Sequence, residues 1–512
     1  MRHSHAPFSG RFGWNLDAVI LVVLLTGVAI RFAGLGHQSI WIDEGYTIEL
    51  TSQSNFQAMI THLVSNGASD CFMPAYESLF YFWRQIFGTN EVAIRSLSAL
   101  FGSIAMLACT LAAWRNWGRM AALGTALLAA FSNYGIFYSQ EARSYASLHA
   151  ICALVLLAYL ECRSPRSNRH WRLALAALCG LTMWFNIFSA FFLVLLGLVD
   201  LISTRSLKET IRFWWLPALA ASTYAIWLTM LLTHQKIGMY YPLSETNNLL
   251  LIGYLIVGVV IGPHFGPPPE AMRMGIDRLH GLLIFAPQLF TLVATLGFAV
   301  WAVWRNHDRM IDVEGKSDRR ACTILLVGIG VVIAFLLYGA VMKFVSLPRH
   351  VFAAWPALMI SLPALLLATE KPKLGAGPLI IVLLVGQSLL ATFNYFFDSR
   401  YYRDDYRGVA QYLAIETTAH AGTKPIIVFG MPFALRYYYK GPLVDATHNA
   451  STKPSYLKRV ANNTPRLLVI VNRPYAFRPD YQTYLQAAFA PDYVLRRHVL
   501  FQYFVLYDFI HK

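Results

Sequence analysis

The stretch "WNLDAVILVVLLTGVAI", Trp14–Ile30, is followed a few residues later by "SIWIDEGYTIEL", Ser39–Leu50. The first stretch is an apolar run close to the roughly 20 residues that a membrane-spanning helix needs. The second places two carboxyl groups, Asp43 and Glu44, side by side directly after that run. Charged groups at a membrane are costly, and those that persist there are candidates for function. The alternative is a solvated pair in a loop beside the membrane, and the residues alone leave both interpretations open.

The composition of the chain is typical of a membrane protein. Of its 512 residues, 56% are hydrophobic and only 13% are charged, whereas soluble proteins have about 25% charged residues. Apolar runs of about 18 residues or more recur along the chain and predict about eleven transmembrane helices. The first run is long for a signal peptide and has no small-residue cleavage site after it, so we interpret it as a retained helix.

Neither the net charge of +15 nor the six cysteines indicates another class of function. A strongly basic soluble protein would suggest nucleic acid as a partner, but no nucleic-acid-binding motif is present. The basic residues instead gather in loops, where they determine membrane topology. The cysteines form no CxxC or Cys/His spacing, which argues against a disulfide framework or a zinc site.

The basic clusters predict which side of the membrane each loop occupies. They follow alternate predicted helices, as in Arg163–Arg172 and Arg205–Arg212, and therefore mark the inner side. This places the Asp43–Glu44 loop and the loop after the third helix on the outer side. Residues 234–280 contain a proline- and glycine-rich segment and are better explained as a re-entrant or interfacial element than as a full span.

Two further segments are expected outside the spans. "PAYESLFYFWRQIFG", Pro74–Gly88, is amphipathic and short, which predicts an interfacial helix in the first outer loop. The tail is polar and rich in tyrosine. Strand-like runs at Pro425–Gly430, Arg466–Val471 and Phe501–Tyr507, with a helical pattern over Asp404–Ala414, predict a small α/β domain there. We therefore divide the chain into a transmembrane domain, 1–395, and an outer domain, 396–512.

"YSQEARSYASL", Tyr138–Leu148, is the second candidate site segment. Glu141 and Arg143 lie at the predicted outer end of the third helix. A simple ion pair at a helix end would contribute little, but a guanidinium group there would also suit a phosphate, which it binds with two parallel hydrogen bonds.

Two other segments add polar groups on the same predicted side. "MKFVSLPRHVF", Met342–Phe352, carries Lys343, Arg349 and His350 against the expected charge bias, and an anionic lipid phosphate would explain these charges. The alternative is a charged loop end that contacts ordinary lipid. "DCFMPAYES", Asp70–Ser78, could shape a groove through Tyr76, with Asp70 as a polar contact.

Three of these polar patches are expected to converge on one face of the membrane domain. Carboxylates and cations together suit a substrate with a lipid-borne phosphate and an acceptor with a hydroxyl group. The sequence has no GxxxxGK[ST] motif for an ATPase and no convincing DxD motif for an enzyme that uses nucleotide sugars.

The chain resembles the GT-C superfamily of polytopic glycosyltransferases. The resemblance is strongest to the bacterial branch related to protein O-mannosyltransferases, lipid A aminoarabinose transferases and lipopolysaccharide galacturonosyltransferases. It covers the first 200 residues well and the rest thinly. The matching segments are Ser39–Thr47, Pro74–Gly88, Glu91–Ala105 and Tyr138–Leu148 and, more loosely, Leu347–Leu358 and Asp404–Ala414. One departure is clear: relatives often read His-Pro-Pro-Leu-Tyr where this chain has "FMPAYE", so the histidine position falls on Phe72 or Met73.

The resemblance implies a fold, a reaction and a set of roles. The fold would be an all-α polytopic membrane protein with a small outer α/β domain. The donor would be a polyprenyl-phosphate sugar, and transfer would invert the anomeric centre on the outer membrane face. Asp43 would be the general base and Glu44 its positioning neighbour. Glu141 and Arg143 would line the substrate cavity, and Arg349 and His350 would bind the donor phosphate.

The expected function is therefore a glycosyltransferase of the bacterial inner membrane, with its active site facing the periplasm. The acceptor would be an envelope glycolipid, lipopolysaccharide or protein. A glycolipid transporter or flippase, or an envelope glycan polymerase or ligase, is the alternative. No cofactor is implied with certainty, and the participation of a divalent cation is left open.

Overall fold

The structure is a computed structural model. It describes residues 11–66, 68–234, 249–268, 283, 286–311, 316–343, 345–367, 375–419, 423–430, 432–446, 453–462, 464–473 and 480–512. Most of these residues are helical. In chain order, the helices are α1 Arg11–Phe32, α2 Ile42–Leu50, α3 Phe56–Asn66, a 3₁₀ turn Ala68–Phe72, α4 Pro74–Phe87, α5 Glu91–Phe131, α6 Asn133–Ser139, α7 Tyr145–Cys162, α8 Arg169–Phe185, α9 Ser189–Thr204, α10 Leu207–Ser222, α11 Tyr224–His234, α12 Leu249–Val260, α13 Ala286–Ile311, α14 Lys316–Met342, a 3₁₀ turn Pro348–Val351, α15 Ala354–Leu367, α16 Ala376–Phe397, a 3₁₀ turn Ser399–Tyr401, α17 Tyr406–Ala419, α18 Phe433–Tyr438, α19 Pro454–Ala461 and α20 Tyr481–Phe489.

The described chain divides into two compact units. The first is formed by residues within 11–33, 60–268 and 283–397, and the second by residues within 34–59 and 398–512. The short segment after α1, which contains Asp43 and Glu44, thus packs as part of the second unit. Each unit is considered separately below.

The first unit contains the apolar helices. Five helices of the described residues are long and apolar enough to cross a membrane: Glu91–Phe131, Tyr145–Cys162, Leu207–Thr233, Arg319–Met342 and Ala376–Phe397. Shorter apolar helices are Ser189–Thr204, Ala286–Trp301 and Ala354–Leu367. Each predicted span overlaps a helix of the structure, so the predicted multi-pass helical class is confirmed.

Local sequence explains two breaks in this unit. Helix α5 contains two of the predicted spans and is kinked at Gly118, whose φ of 86° is one that residues with a side chain rarely adopt. The second break separates two apolar helices, because α8 ends at Phe185 and α9 begins at Ser189. Of the predicted re-entrant segment, α12 and residues 261–268 are described, while 235–248 and 269–280 lie outside the described residues.

Two polar side chains fasten the end of α1, one to α5 and the other to the segment that follows α6. Arg31 is fully buried and donates to the carbonyl groups of Gly27 at 2.9 Å and Ala129 at 2.7 Å. Gln140 donates to the carbonyl of Ala33 at 2.7 Å. The last carbonyl groups of a helix lack partners within the helix. The bond from Gln140 therefore holds the start of "QEAR" against the end of α1.

Helix α4 has the amphipathic form that the sequence predicts. It buries one face, including Tyr76, Glu77 and Phe80, and it exposes Phe82 and Ile86 on the other. Pro74 stands in its first turn, where the missing N–H costs nothing. An exposed apolar face on a helix of 14 residues fits an interfacial position.

The second unit is built on a five-stranded mixed sheet with the order β2-β1-β3-β5-β4. The strands are β1 Thr423–Phe429, β2 Val444–Asp445, β3 Arg466–Asn472, β4 Tyr493–Phe501 and β5 Phe504–His511. β3 is buried along its whole length and pairs in parallel with β1 and antiparallel with β5. The predicted C-terminal α/β fold is therefore confirmed, although Phe501–Tyr507, expected as one strand, contains the turn between β4 and β5.

Candidate active site

Asp43 and Glu44 lie in the first turn of α2. From the sequence alone, this segment is expected to be a polar loop. Trp41 is the residue before the helix, and its N–H donates to Oε2 of Glu44 at 3.3 Å. A glutamate three residues after a helix start often closes it in this way. Acidic groups in the first turn are also favoured by the helix dipole. The carboxyl pair therefore helps to start the helix that carries it.

The two carboxyl groups have different surroundings. Glu44 is fully buried, and its Oε2 also accepts from Nη1 of Arg403 at 3.0 Å. The Arg403 side chain is itself only 9% exposed. Asp43 is half-buried. Glu44 is thus held in an ion pair, while Asp43 keeps partial access to its surroundings.

Residues from the far end of the chain hold the segment around α2. The backbone N–H of Arg407 donates to Oγ of Ser39 at 2.8 Å, and the N–H of Ile40 donates to the hydroxyl of Tyr438 at 2.8 Å. Gly45 packs so closely on α18 that a Cβ there would lie 2.4 Å from the backbone nitrogen of Ala434. We call Arg403, Arg407, Ala434 and Tyr438 the α2 clamp. Sequence reasoning missed it, although Arg407 lies within the segment Asp404–Ala414 that resembles the family.

The first unit contains a buried ion pair between Arg143 and Asp70. Nη1 and Nη2 of Arg143 donate to the two carboxylate oxygens of Asp70 at 2.6 and 2.7 Å. Both side chains are almost fully buried, at 6% and 1% exposure. This is the two-bond geometry expected of a guanidinium group, but it is directed to Asp70. Arg143 as a phosphate ligand stays a prediction, and such a role would require Asp70 to share these donors.

Glu77 lies close to this pair and was not predicted as a site residue. Its side chain is fully buried, and neither carboxyl oxygen has a hydrogen-bond partner. Burial raises the pKa of Glu77 well above the usual range, the nearby Asp70 raises it further, and Arg143 opposes this only in part. Burial and the charge of Asp70 therefore favour the protonated form of this group. The spacing of Pro74, Glu77 and Tyr81 along one face of α4 is the signal that could have placed it in the interior.

Tyr76 and Glu141 occupy the same unit. Tyr76 is buried on α4, and its ring stacks on Phe80 at 5.9 Å. Glu141 is 2% exposed, and its backbone carbonyl accepts from the N–H of Arg143 at 2.7 Å. The structure thus brings Arg143 together with Asp70, and places Glu141 and Tyr76 in the interior rather than on the surface.

Lys343, Arg349 and His350 belong to the segment after α14. Lys343 is exposed and has a φ of 52° at the helix end, and Arg349 is half-buried in the following 3₁₀ turn. Nδ1 of His350 accepts from the N–H of Leu347 at 2.9 Å. Burial, together with the charge of Arg349, holds the pKa of His350 well below its usual value. His350 is therefore a neutral donor through Nε2–H and not a cation.

No group of three or more His, Cys, Asp or Glu side chains that could hold a metal ion is found among the residues that the structure describes.

Comparison with known proteins gives a fold for the whole chain. No family model matches, and no curated protein sequence matches. Among solved structures, ArnT from Cupriavidus metallidurans in the apo state is similar with a TM-score of 0.63 and 14% identity, over 97% of this chain and 98% of that one. The same protein bound to undecaprenyl phosphate gives a TM-score of 0.58 and 14% identity over 98% of each chain.

A second solved protein shares the architecture. The oligosaccharyltransferase of Archaeoglobus fulgidus, in a complex with Zn and sulfate, has a TM-score of 0.50 and 12% identity over 91% of this chain and 69% of that one. Both proteins belong to the GT-C superfamily. At these identities the likeness shows the fold, and the predicted GT-C-like architecture is confirmed.

Proposed function

We propose that this chain is a membrane glycosyltransferase that moves a sugar from a polyprenyl-phosphate donor to a hydroxyl group of an envelope acceptor. The observation that carries the proposal is the likeness of fold, over nearly the whole of both chains, to a protein captured with undecaprenyl phosphate. The motif resemblance at Ser39–Thr47 and Tyr138–Leu148 supports the proposal independently, because it is a resemblance of sequence and not of fold.

Asp43 is proposed as the general base. Its carboxylate would take the proton of the acceptor hydroxyl while the oxygen attacks the anomeric carbon. The bond from that carbon to the phosphate oxygen breaks, polyprenyl phosphate leaves with the electron pair, and the anomeric centre inverts. A base has to reach its substrate, and the half-buried position of Asp43 fits this need better than the buried, paired position of Glu44.

Glu44 is proposed as the residue that positions Asp43. Its ion pair with Arg403 and its bond to the Trp41 N–H fix the first turn of α2. A base held by a rigid turn loses less freedom when the substrate binds, which is a large part of what positioning contributes.

The donor phosphate is proposed to meet cations and donors of the segment after α14. The Arg349 guanidinium and the Lys343 ammonium would offset the charge that grows on the leaving group. The Nε2–H of His350 would add a neutral hydrogen bond. Glu141, Arg143 and Tyr76 are proposed to shape the substrate cavity, with Arg143 acting through its pair with Asp70.

The proposed location is the bacterial inner membrane, with the active site and the domain 396–512 on the periplasmic side. The basic residues after alternate helices support this orientation. Glycolipid, lipopolysaccharide and protein all remain within the proposed class of acceptors, and the sugar is left unspecified.

The test is Asp43→Asn, with Glu49→Gln as the matched control on the same helix. Glu49 belongs to an exposed pair with Arg436 at 3.4 Å and has no assigned role. Mass spectrometry of envelope glycolipids and glycoproteins in a deletion strain identifies the missing modification. We expect wild type and Glu49→Gln to restore it and Asp43→Asn to lower it by about 10²–10⁴-fold.

Lipid binding separates the enzyme from the alternatives. Purified Asp43→Asn should still bind undecaprenyl phosphate, measured by native mass spectrometry, because only the proton acceptor is lost. If Asp43→Asn restores the envelope modification to the wild-type level, Asp43 is not the general base. A deletion strain that lacks no sugar substituent but mislocates a glycolipid would favour a transporter or flippase instead, and one with shortened glycan chains a polymerase or ligase.

A further inference from the structure

Four arginines from three segments of the first unit lie near two buried carboxylates. We call Arg115, Arg163, Arg166 and Arg320 the arginine cluster. Nε and Nη2 of Arg115 donate to both oxygens of Glu161 at 2.9 and 2.8 Å. Nε and Nη2 of Arg166 donate to the same carboxylate at 3.2 and 3.1 Å. The Glu161 carboxylate, which is fully buried, is therefore saturated with donors.

The second carboxylate, Asp200, is saturated as well. It pairs with Nη2 of Arg163 and accepts from the Tyr159 hydroxyl at 2.8 Å and from the indole N–H of Trp214 at 2.9 Å. Nη2 of Arg320 donates to the backbone carbonyl of Arg163 at 2.9 Å. Arg320 therefore joins the cluster through the backbone and not through an acid.

The cluster carries a surplus of positive charge. The four guanidinium groups lie near two carboxylates among the described residues, which is a surplus of two positive charges there. Among the described residues no carboxylate forms an ion pair with Arg320, which is half-buried. The Arg166 side chain is 48% exposed. Like charges held this close together favour an anionic partner.

The cluster lies where membrane-spanning helices end. Glu161 is next to the last residue of the span Tyr145–Cys162, and Arg320 is the second residue of the span Arg319–Met342. Aromatic rings accompany it, with the Arg163 guanidinium 3.9 Å from the ring centre of Phe213. Span ends with aromatic and basic residues lie at the level of lipid headgroups.

We propose that the arginine cluster binds the phosphate headgroup of an anionic phospholipid, with Arg320 and Arg166 as the contacting residues. Guanidinium groups bind phosphate oxygens with paired hydrogen bonds, and basic pockets between spanning helices bind acidic headgroups. The site is made of residues that have no role in the proposed transfer reaction. The bound lipid supplies the negative charge that Glu161 and Asp200 leave uncompensated.

The test measures the binding of two lipids to the purified full-length protein by native mass spectrometry. The probes are phosphatidylglycerol, which is anionic, and phosphatidylcholine, which has no net charge. We expect tighter binding of phosphatidylglycerol, and about fivefold weaker binding of it by Arg320→Ala, since a basic residue near a lipid surface contributes about 1 kcal/mol. Arg169→Ala is the matched control, because Arg169 is exposed on α8 just beyond the cluster.

Several outcomes would overturn the proposal. These are equal binding of the two lipids by wild type, an equal loss in Arg169→Ala, or no loss in Arg320→Ala. Full competition by glycerol 3-phosphate at the concentration of the lipid would show a site for free phosphate instead. If Arg320→Ala does not fold, Arg320→Lys takes its place, because lysine keeps the charge but cannot form two parallel hydrogen bonds. We expect Arg320→Lys to weaken phosphatidylglycerol binding measurably, but by less than fivefold.

Discussion

At the scale of single residues, three acidic groups in the predicted motifs have three different surroundings. Glu44 is buried and paired with Arg403. Asp70 is buried and paired with Arg143. Glu77 is buried with no partner at either oxygen. A buried carboxylate needs a cation or donors to stay charged, so pairing decides which of these groups carries charge.

Replacing Glu77 tests that difference through pH. The folded-state pKa of Glu77 is raised above its usual value of 4.5, so the folded protein keeps a proton that the unfolded chain releases. The contribution of this group to stability is full below pH 4.5 and is lost as the pH rises towards the folded pKa, by up to about 1.4 kcal/mol per pH unit. Glu77→Gln holds no such proton. We expect Glu77→Gln to gain stability relative to wild type between pH 5 and pH 8, measured as thermal midpoints in detergent.

The control for that experiment is Glu209→Gln, which replaces an exposed glutamate at the start of α10. It should follow the wild-type pH profile. A Glu77→Gln profile parallel to that of wild type would mean that the pKa of Glu77 is not raised in the folded protein.

The residues of the candidate site were predictable to an unequal degree. Asp43, Glu44 and Arg143 stand out in sequence because charges are rare beside long apolar runs. The partner of Arg143 is 73 residues away along the chain, and that of Glu44 is 359 residues away. Neither distance leaves a local pattern, so the pairing of Arg143 and the role of Arg403 come only from the fold.

At the scale of elements, α2 shows why a polar segment can be a helix. From the sequence, Ser39–Leu50 is expected to be part of a polar loop after the first span. Its first turn is closed by Glu44, and its buried face, including Gly45 and Ile48, packs within the second unit. Most helical stability comes from such packing and little from propensity.

Gly45→Ala tests the packing of α2 on α18. The added methyl group would lie 2.4 Å from the nitrogen and 2.6 Å from the Cα of Ala434, both backbone atoms that cannot move aside cheaply. Overpacking of this kind costs about 1–3 kcal/mol. We expect faster hydrogen exchange in Ile42–Leu50 and reduced modification of the acceptor.

The matched control is Gly386→Ala on α16, where an added Cβ meets nothing within 4 Å. Alanine is the better helix former by about 1 kcal/mol, so this variant should be neutral or more stable. Normal exchange in α2 of the Gly45→Ala protein would mean that α2 does not need this close contact.

The elements themselves were largely predictable, with informative exceptions. Long apolar runs indicate spanning helices because period and length are local properties. The turn at Gln502 and Tyr503 was missed, because a tyrosine with a φ of 63° gives a weak local signal.

At the scale of the whole molecule, the second unit is assembled from two distant parts of the chain. Gly34–Met59 and Asp398–Lys512 share this unit. The residues of the α2 clamp contribute contacts that join these two parts, and the buried Arg403–Glu44 pair is one of them. A buried pair that loses one partner is destabilised by about 3–5 kcal/mol.

Arg403→Met should therefore loosen a segment at the other end of the chain. We expect increased hydrogen exchange in Ile42–Leu50, with exchange in the central strand Arg466–Asn472 unchanged. Arg436→Met is the matched control, because it breaks an exposed pair to the same helix, with Glu49 at 3.4 Å, worth at most about 1 kcal/mol. Equal effects of the two variants on exchange would show that the buried Arg403–Glu44 pair stabilises α2 no more than the exposed Arg436–Glu49 pair does.

The α2 clamp also sets an order of events during synthesis. Glu44 leaves the ribosome 359 residues before Arg403, which corresponds to roughly 20–70 s of translation at typical rates. Throughout that interval the nascent chain has inserted its first helix but lacks the partners of α2. The proposed catalytic segment is thus among the first parts made, yet it reaches its final packing only after residues 403–438 have emerged.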